Sequence, residues 1–359
     1  MEGSGGRGGP IGPLTGVRGF AALWVVLCHF REDLALALPG WDALAAISFH
    51  GYLGVDLFAF LSGFVISYTY GDRLAHFERT RTLRFLWLRF ARVYPLHLSV
   101  LLLFVAVRVA SDGAAVLTAA ASDPAFWRQL FLLHGWGFDD AVAWNVPSWT
   151  VSSEWFCYLL FPFLAPALGR VVSGPRAALL AAACLATTTL LLFAVGHPRF
   201  TAYLDWGLIR IGGEFLTGCL MFRAWRAGLG ADRYWGWLGV AALVFAVPAS
   251  IVHPALAVPA FAVAVYSLAW DEAPASTVFG NRIARYLGEI SYSVYMVHWF
   301  VFAYAEPLGL GALPDPYRAW AMLAVVLAMA SATHYAIENP ARGYLRRRMI
   351  REPVVAPAP

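Results

Sequence analysis

LTGVRGFAALWVVLCHF, residues 14–30, is an apolar helix with two ionisable side chains inside it, Arg18 and His29. They stand 11 positions apart, and that many steps of about 100° bring a helix back to within roughly 20° of its starting direction. Both side chains therefore point the same way, on the order of 16 Å apart along the axis, with Trp24, Val25 and Leu27 on other directions. A charged group in hydrocarbon costs roughly 2.5–3.5 kcal/mol on insertion scales, so such a stripe faces other helices and reads as functional by default. The plainer account is a snorkelling arginine and a hydrogen-bonded core histidine.

The remainder of the chain has the composition this helix implies. Of 359 residues 60% are hydrophobic and 13% charged, and mean hydropathy is +0.62. Soluble domains carry about 25% charged residues, so the expectation is an all-α polytopic membrane protein. All 26 basic residues are arginine and the formal charge is +4. That excess lies beside apolar spans, which points to cytoplasmic loops and away from nucleic acid. Cys28, Cys157, Cys184 and Cys219 fall in apolar segments without CxxC or mixed His/Cys spacing, so no metal site or disulfide framework is indicated.

Apolar runs of roughly 20 residues are long enough to span a bilayer. Such runs occupy 14–36, 51–70, 86–110, 152–170, 176–196, 206–225, 235–252, 254–271, 285–308 and 318–340, with a shorter interfacial piece at 126–133. Arginines cluster around 73–84, 170–176, 223–233, 282–285 and 346–351. Setting these inside makes both termini cytoplasmic, the number of spans even at about ten, and 111–151 one long excursion on the outer side. The expected division is a glycine-rich disordered tail over 1–13, a transmembrane domain over 14–345 and a cytoplasmic tail over 346–359. The first span is followed at once by the charged His29–Asp33 segment, and the expectation is that it is retained in the mature protein.

Several further ionisable groups lie within these runs. Arg84, Arg89 and Arg92 gather at one end of the third span, and Arg89 and Arg92 share a helical face. Planar guanidiniums bind phosphate through paired hydrogen bonds, so this cluster suits a phosphorylated donor, although arginines also crowd any inner loop. Glu154, after Pro147 and a candidate cap at Ser152 or Ser153, is expected in the first turn of its helix. It is either a capping acid or a partner that orients His29 as a general base from across the bundle. Ser62 in the second span, and Tyr292 and His298 with Tyr295 between them, are secondary candidates. Asp56 is expected to face water at a helix end, and Glu214, Glu289 and Glu338 rank below Glu154.

The order of these segments resembles the acyltransferase-3 family of integral membrane acyltransferases. The matching pieces are LTGVRGFAALWVVLCH (14–29), GYLGVDLFAFLSGFVIS (51–67), LRFARVYPLH (88–97), PSWTVSSEWFCYLLFP (147–162), YLGEISYSVYMVHW (286–299) and IENPAR (337–342). Arg18, ten residues, then His29 is the most diagnostic. Thr150 replaces the usual first serine of the tryptophan–serine element, and Leu57–Phe58–Ala59–Phe60 stands where paired phenylalanines are common. The resemblance implies a bacterial cytoplasmic-membrane enzyme that takes an acyl-coenzyme A, acetyl-CoA first among them, and acylates a hydroxyl of a sugar, cell-envelope glycan or secondary metabolite. It implies that His29 takes part in transfer, with Arg18, Arg89 and Arg92 as partners and Glu154 on the family's tryptophan–serine–x–serine–x–glutamate element. No appended hydrolase domain is expected. The alternative is a transporter whose polar track carries substrate. It predicts repeats and broken helices in matching halves, which the sequence does not display. The oligomeric state stays open.

Overall fold

The computed structural model describes residues 12–37, 40, 42–139, 144–230, 235–270 and 274–351. Of the expected tails, 1–13 and 346–359, residues 1–11 and 352–359 lie outside the described residues, while 12–13 open the first helix and 346–351 end the last one. Every described element is helical. The first part holds α1 (Gly12–His29), α2 (Arg31–Ala37), α3 (Asp42–Phe49), α4 (Gly54–Tyr70) and α5 (Arg79–Asp112). A connection carrying α6 (Ala115–Ser122) and α7 (Pro124–Leu130) leads to α8 (Ser148–Gly169) and α9 (Gly174–Ala194). Then come α10 (Gly207–Arg226), α11 (Trp235–Val252), α12 (Pro254–Leu268) and α13 (Pro274–Phe279). The last part is α14 (Arg282–Glu289), α15 (Ser291–Ala303), α16 (Asp315–Thr333) and α17 (Asn339–Arg351), the final two joined by a π-helical turn, His334–Glu338.

Each of the ten apolar runs holds a helix, but fewer qualify as simple spans. Among the described residues six helices are long and apolar enough to cross a membrane, or seven if α1 and α2, bent by 77° at Phe30, form one span. The reasons for the shortfall are local. α10 has the length at 20 residues but carries Arg210, Glu214, Arg223 and Arg226. The 285–308 run breaks at Ile290, leaving α15 with 13 residues, and α12 has 15.

α1 and α4 stand between two apolar cores. On one side they pack with α9, α10, α11 and α12 through residues such as Trp24, Phe60, Phe64 and Phe261. On the other, Val25, Phe30 and Ala59 join α5, α8, α15 and α16. Helices attract one another weakly in lipid, so close backbone approach matters. A methyl on Gly63 would overlap the Phe215 carbonyl, and one on Gly218 would overlap the Phe60 carbonyl, so α4 and α10 meet at van der Waals distance only because both are glycine. Facing outward, Leu179, Leu190, Val244 and Phe245 are 60–70% exposed. An apolar exterior wrapped around a polar interior is the arrangement a bilayer requires.

Asp56 is a correction to the sequence reading. It is fully buried, and its carboxylate accepts two bonds from Arg210 of α10, Nε to Oδ1 at 2.8 Å and Nη2 to Oδ2 at 2.5 Å. A second correction concerns α8, which starts at Ser148. The Ser152 and Ser153 hydroxyls do not cap it; they donate to the Leu132 and Gly135 carbonyls and pin the 131–139 loop against the helix. Glu154 therefore sits in the second turn, deeper than a capping acid.

Candidate active site

Five helices deliver polar side chains into one cavity of about 150 Å³. α1 supplies Arg18, α4 Ser62, α5 Arg89 and Arg92, α8 Thr150, Glu154 and Tyr158, and α15 Tyr292 and Tyr295. The walls between them are apolar, including Phe58, Ile66 and Phe215. Helical spacing explains why these residues meet. Thr150, Glu154 and Tyr158 recur at intervals of four on one face of α8, and Arg89 and Arg92 at three on α5.

The two α5 arginines have different partners. Arg92 forms an ion pair with Glu338, whose side chain is 1% exposed, and lies 5.6 Å from the Tyr292 ring centroid. Glu338 is held in turn by Ser293 Oγ at 2.8 Å and His334 Nδ1 at 3.1 Å. The π-helical turn that ends at Glu338 aims it there, a common use of such turns. Arg89 donates to the Tyr70 hydroxyl at 2.8 Å and packs over the Tyr70 ring, and its buried Nε has no hydrogen-bond partner. Neither Arg18 nor Arg89 has a carboxylate within ion-pair distance among the described residues. Glu154 lies in electrostatic reach of Arg18 and Tyr158, and Ser62 Oγ is 3.3 Å from the Tyr158 hydroxyl. The cavity lining thus holds three guanidiniums, Arg18, Arg89 and Arg92, and the carboxylate of Glu154, while Glu338 pairs with Arg92 from outside the lining.

His29 stands apart from this lining. It occupies the last position of α1, where Nδ1 is 3.0 Å from the Val25 carbonyl and 3.2 Å from His298 Nε2. The Trp299 ring meets it edge-on at 5.2 Å. Among the described residues no hydrogen bond or ion pair joins Glu154 to His29: Glu154 lines the cavity in electrostatic reach of Arg18, and His29 bonds to the Val25 carbonyl and to His298 of α15. Tyr295 links the two regions. Its hydroxyl, in the cavity wall, accepts from Thr150 Oγ1 at 2.9 Å and donates to the Pro147 carbonyl at 2.8 Å, while its own carbonyl is 2.8 Å from His298 Nδ1.

Of the residues singled out by sequence, Arg18, Ser62, Arg89, Arg92, Glu154 and Tyr292 meet in the cavity. His29 and His298 pair beside it. Arg84 is exposed and does not line it. Sequence reading passed over Tyr158, Tyr70 and Arg342 and ranked Glu338 low. Tyr158 carries a signal, the four-residue spacing from Glu154. Glu338 and Arg342 have the same spacing within IENPAR, and Arg342 lies in electrostatic reach of Arg89 and Arg92. No group of three or more His, Cys, Asp or Glu suited to a metal ion occurs among the described residues.

The fold and cavity define a multi-pass membrane protein with a cationic site enclosed by its helices. The Acyltransferase domain family, Acyl_transf_3, matches residues 13–335, and the chain belongs to it. It is an acyltransferase, which decides between the enzyme and transporter readings. Acyltransferase MdmB of Streptomyces mycarofaciens is 28% identical over 96% of this chain and 95% of its own length. Protein 2 in picA locus, from Rhizobium radiobacter, is 43% identical over 26% of this chain and 43% of its own. No solved structure matches.

Proposed function

We propose that this protein transfers an acyl group, acetyl in the simplest case, from an acyl-coenzyme A to a hydroxyl of a sugar, a cell-envelope glycan or a secondary metabolite, in the bacterial cytoplasmic membrane. The observation that carries the reading is the surplus of guanidinium in a cavity walled by apolar side chains. Arg18 and Arg89 hold positive charge there without a carboxylate partner, which is stabilising only toward an anion or a developing oxyanion. A cavity of about 150 Å³ holds the volume of about five liquid waters. Its size matches a narrow part of the donor rather than the nucleotide. The phosphates then fall to arginines nearer the start of α5, where Arg84 is exposed about 7.5 Å along the axis from Arg89.

In this mechanism His29 Nε2 takes the proton of the acceptor hydroxyl as its oxygen attacks the thioester carbonyl. The negative charge on the carbonyl oxygen draws on the positive field of the cavity guanidiniums, of which Arg18 stands about 16 Å along α1 from His29 and does not contact it. The C–S bond then breaks, and the departing thiolate recovers the proton from His29, so acyl-CoA and alcohol become ester and free CoA. Glu154 offsets part of the Arg18 charge without forming an ion pair with it. The test is direct: purified protein in bilayer discs with radiolabelled acetyl-CoA and a panel of hydroxyl acceptors should form labelled ester and one free thiol per ester. Acceptor modification that proceeds equally well without any acyl-CoA would overturn the donor assignment.

A further inference from the structure

His298 is fully buried, so each of its ring nitrogens must be satisfied within the protein. Nδ1 lies 2.8 Å from the Tyr295 carbonyl, which can only accept; Nδ1 therefore carries the hydrogen, and in the neutral ring Nε2 keeps its lone pair. His29 Nδ1 also faces a carbonyl, that of Val25 at 3.0 Å, and by the same reasoning it carries a hydrogen. That hydrogen is shared with His298 Nε2, 3.2 Å away and in need of a donor. The opposite assignment would set lone pair against lone pair at both carbonyls. Two backbone carbonyls on two helices thus fix two tautomers consistently. The consequence falls on the other side of His29, where Nε2 is left as a lone pair with no partner among the described residues. The edge of Trp299, next to His298 on α15, limits rotation of the ring.

We propose that His298 is the positioning residue of the transfer: it accepts the His29 Nδ1 hydrogen and so presents Nε2 as the base. The inference rests on the reading of His29 as that base. The role is the one a carboxylate fills in many histidine-based sites, setting the tautomer of the reacting ring through its far nitrogen. Here a second, neutral imidazole fills it, and no carboxylate needs to be buried at this depth.

Two measurements test it. In steady-state kinetics, His298→Ala should lower kcat by about 10- to 100-fold, with KM for donor and acceptor unchanged, because orientation is lost and binding is not. His298→Gln, whose amide oxygen can accept the same hydrogen, should recover most of that loss. Separately, nitrogen NMR on histidine-labelled wild-type protein in bilayers should show His29 protonated at Nδ1 and bare at Nε2; this readout needs neither turnover nor a folded variant. A wild-type His29 protonated at Nε2, an unchanged kcat in His298→Ala, or a glutamine variant no better than alanine would each overturn the inference. An inactive His29→Ala beside a fully active His298→Ala sinks this inference alone. An active His29→Ala sinks the reading beneath it.

Discussion

Replacing Asp56 by alanine should destabilise the protein without altering its chemistry. The side chains of Asp56 and Arg210 are 0% and 2% exposed. Their two mutual hydrogen bonds and a third from Arg210 Nη1 to the Ala202 carbonyl at 3.1 Å occupy the guanidinium. Removing one member of such a pair leaves an uncompensated buried charge and typically costs about 3–5 kcal/mol. Glu214 tempers this. It is fully buried one turn along α10, with both carboxyl oxygens lacking a hydrogen-bond partner, and it is the carboxyl group left in electrostatic reach of Arg210 when Asp56 is removed. The single variant should therefore lose about 3 kcal/mol, and Asp56→Ala with Glu214→Ala should reach the upper end of about 5 kcal/mol. Asp56→Leu with Arg210→Met, which removes both charges, should recover most of the loss. The assay is equilibrium unfolding with SDS in mixed micelles, alongside turnover per folded molecule. An Asp56→Ala protein as stable as wild type, or a charge-free double variant no better than the single one, would refute the reasoning.

Arg89→Gln removes a guanidinium from the cavity, and loss of a charge-assisted contact of about 1.5–3 kcal/mol should raise the donor KM by roughly 10- to 100-fold, more than it lowers kcat. Unchanged donor dependence would detach Arg89 from the phosphates or thioester. In the loop between α7 and α8, burial lowers the His134 pKa from 6.5 to about 3. The unfolded chain therefore binds the proton first: stability is complete above pH 6.5 and falls as pH drops toward 3, by at most about 1.4 kcal/mol per pH unit. His134→Gln, able to keep a bond to the Ser148 hydroxyl now 2.9 Å from Nε2, should flatten that slope between pH 6.5 and 5, measured as the difference in unfolding free energy from wild type.

Hydropathy made the helices legible, because a bilayer demands long apolar runs and the ten runs each hold one. It overcounted simple spans where an element departs from that demand, as in α10, which buries Arg210 and Glu214 inside the bundle. Local spacing made much of the site legible too. Arg18 is interior because its stripe could not face lipid, and Glu154 is joined by Thr150 and Tyr158 at helical intervals. Partners far along the chain were not legible. Arg210 is 154 residues from Asp56, and His298 is 269 from His29; no periodicity encodes either pairing. The same limit misassigned Ser152 and Ser153, whose residue type suggests a cap while their bonds reach a loop 18–20 residues earlier. It also sent Glu154 toward His29, when the residue lines a cavity in electrostatic reach of Arg18.

The central claim is that His29 is the base that activates the acceptor. Its most direct test is the rate of ester formation by His29→Ala in bilayer discs, with saturating acetyl-CoA and an acceptor that the wild type uses. A base contributes about 10²–10⁴-fold, so the rate should fall by at least 10²-fold while the variant remains folded and still binds donor. Ester formation at a near wild-type rate would contradict the account.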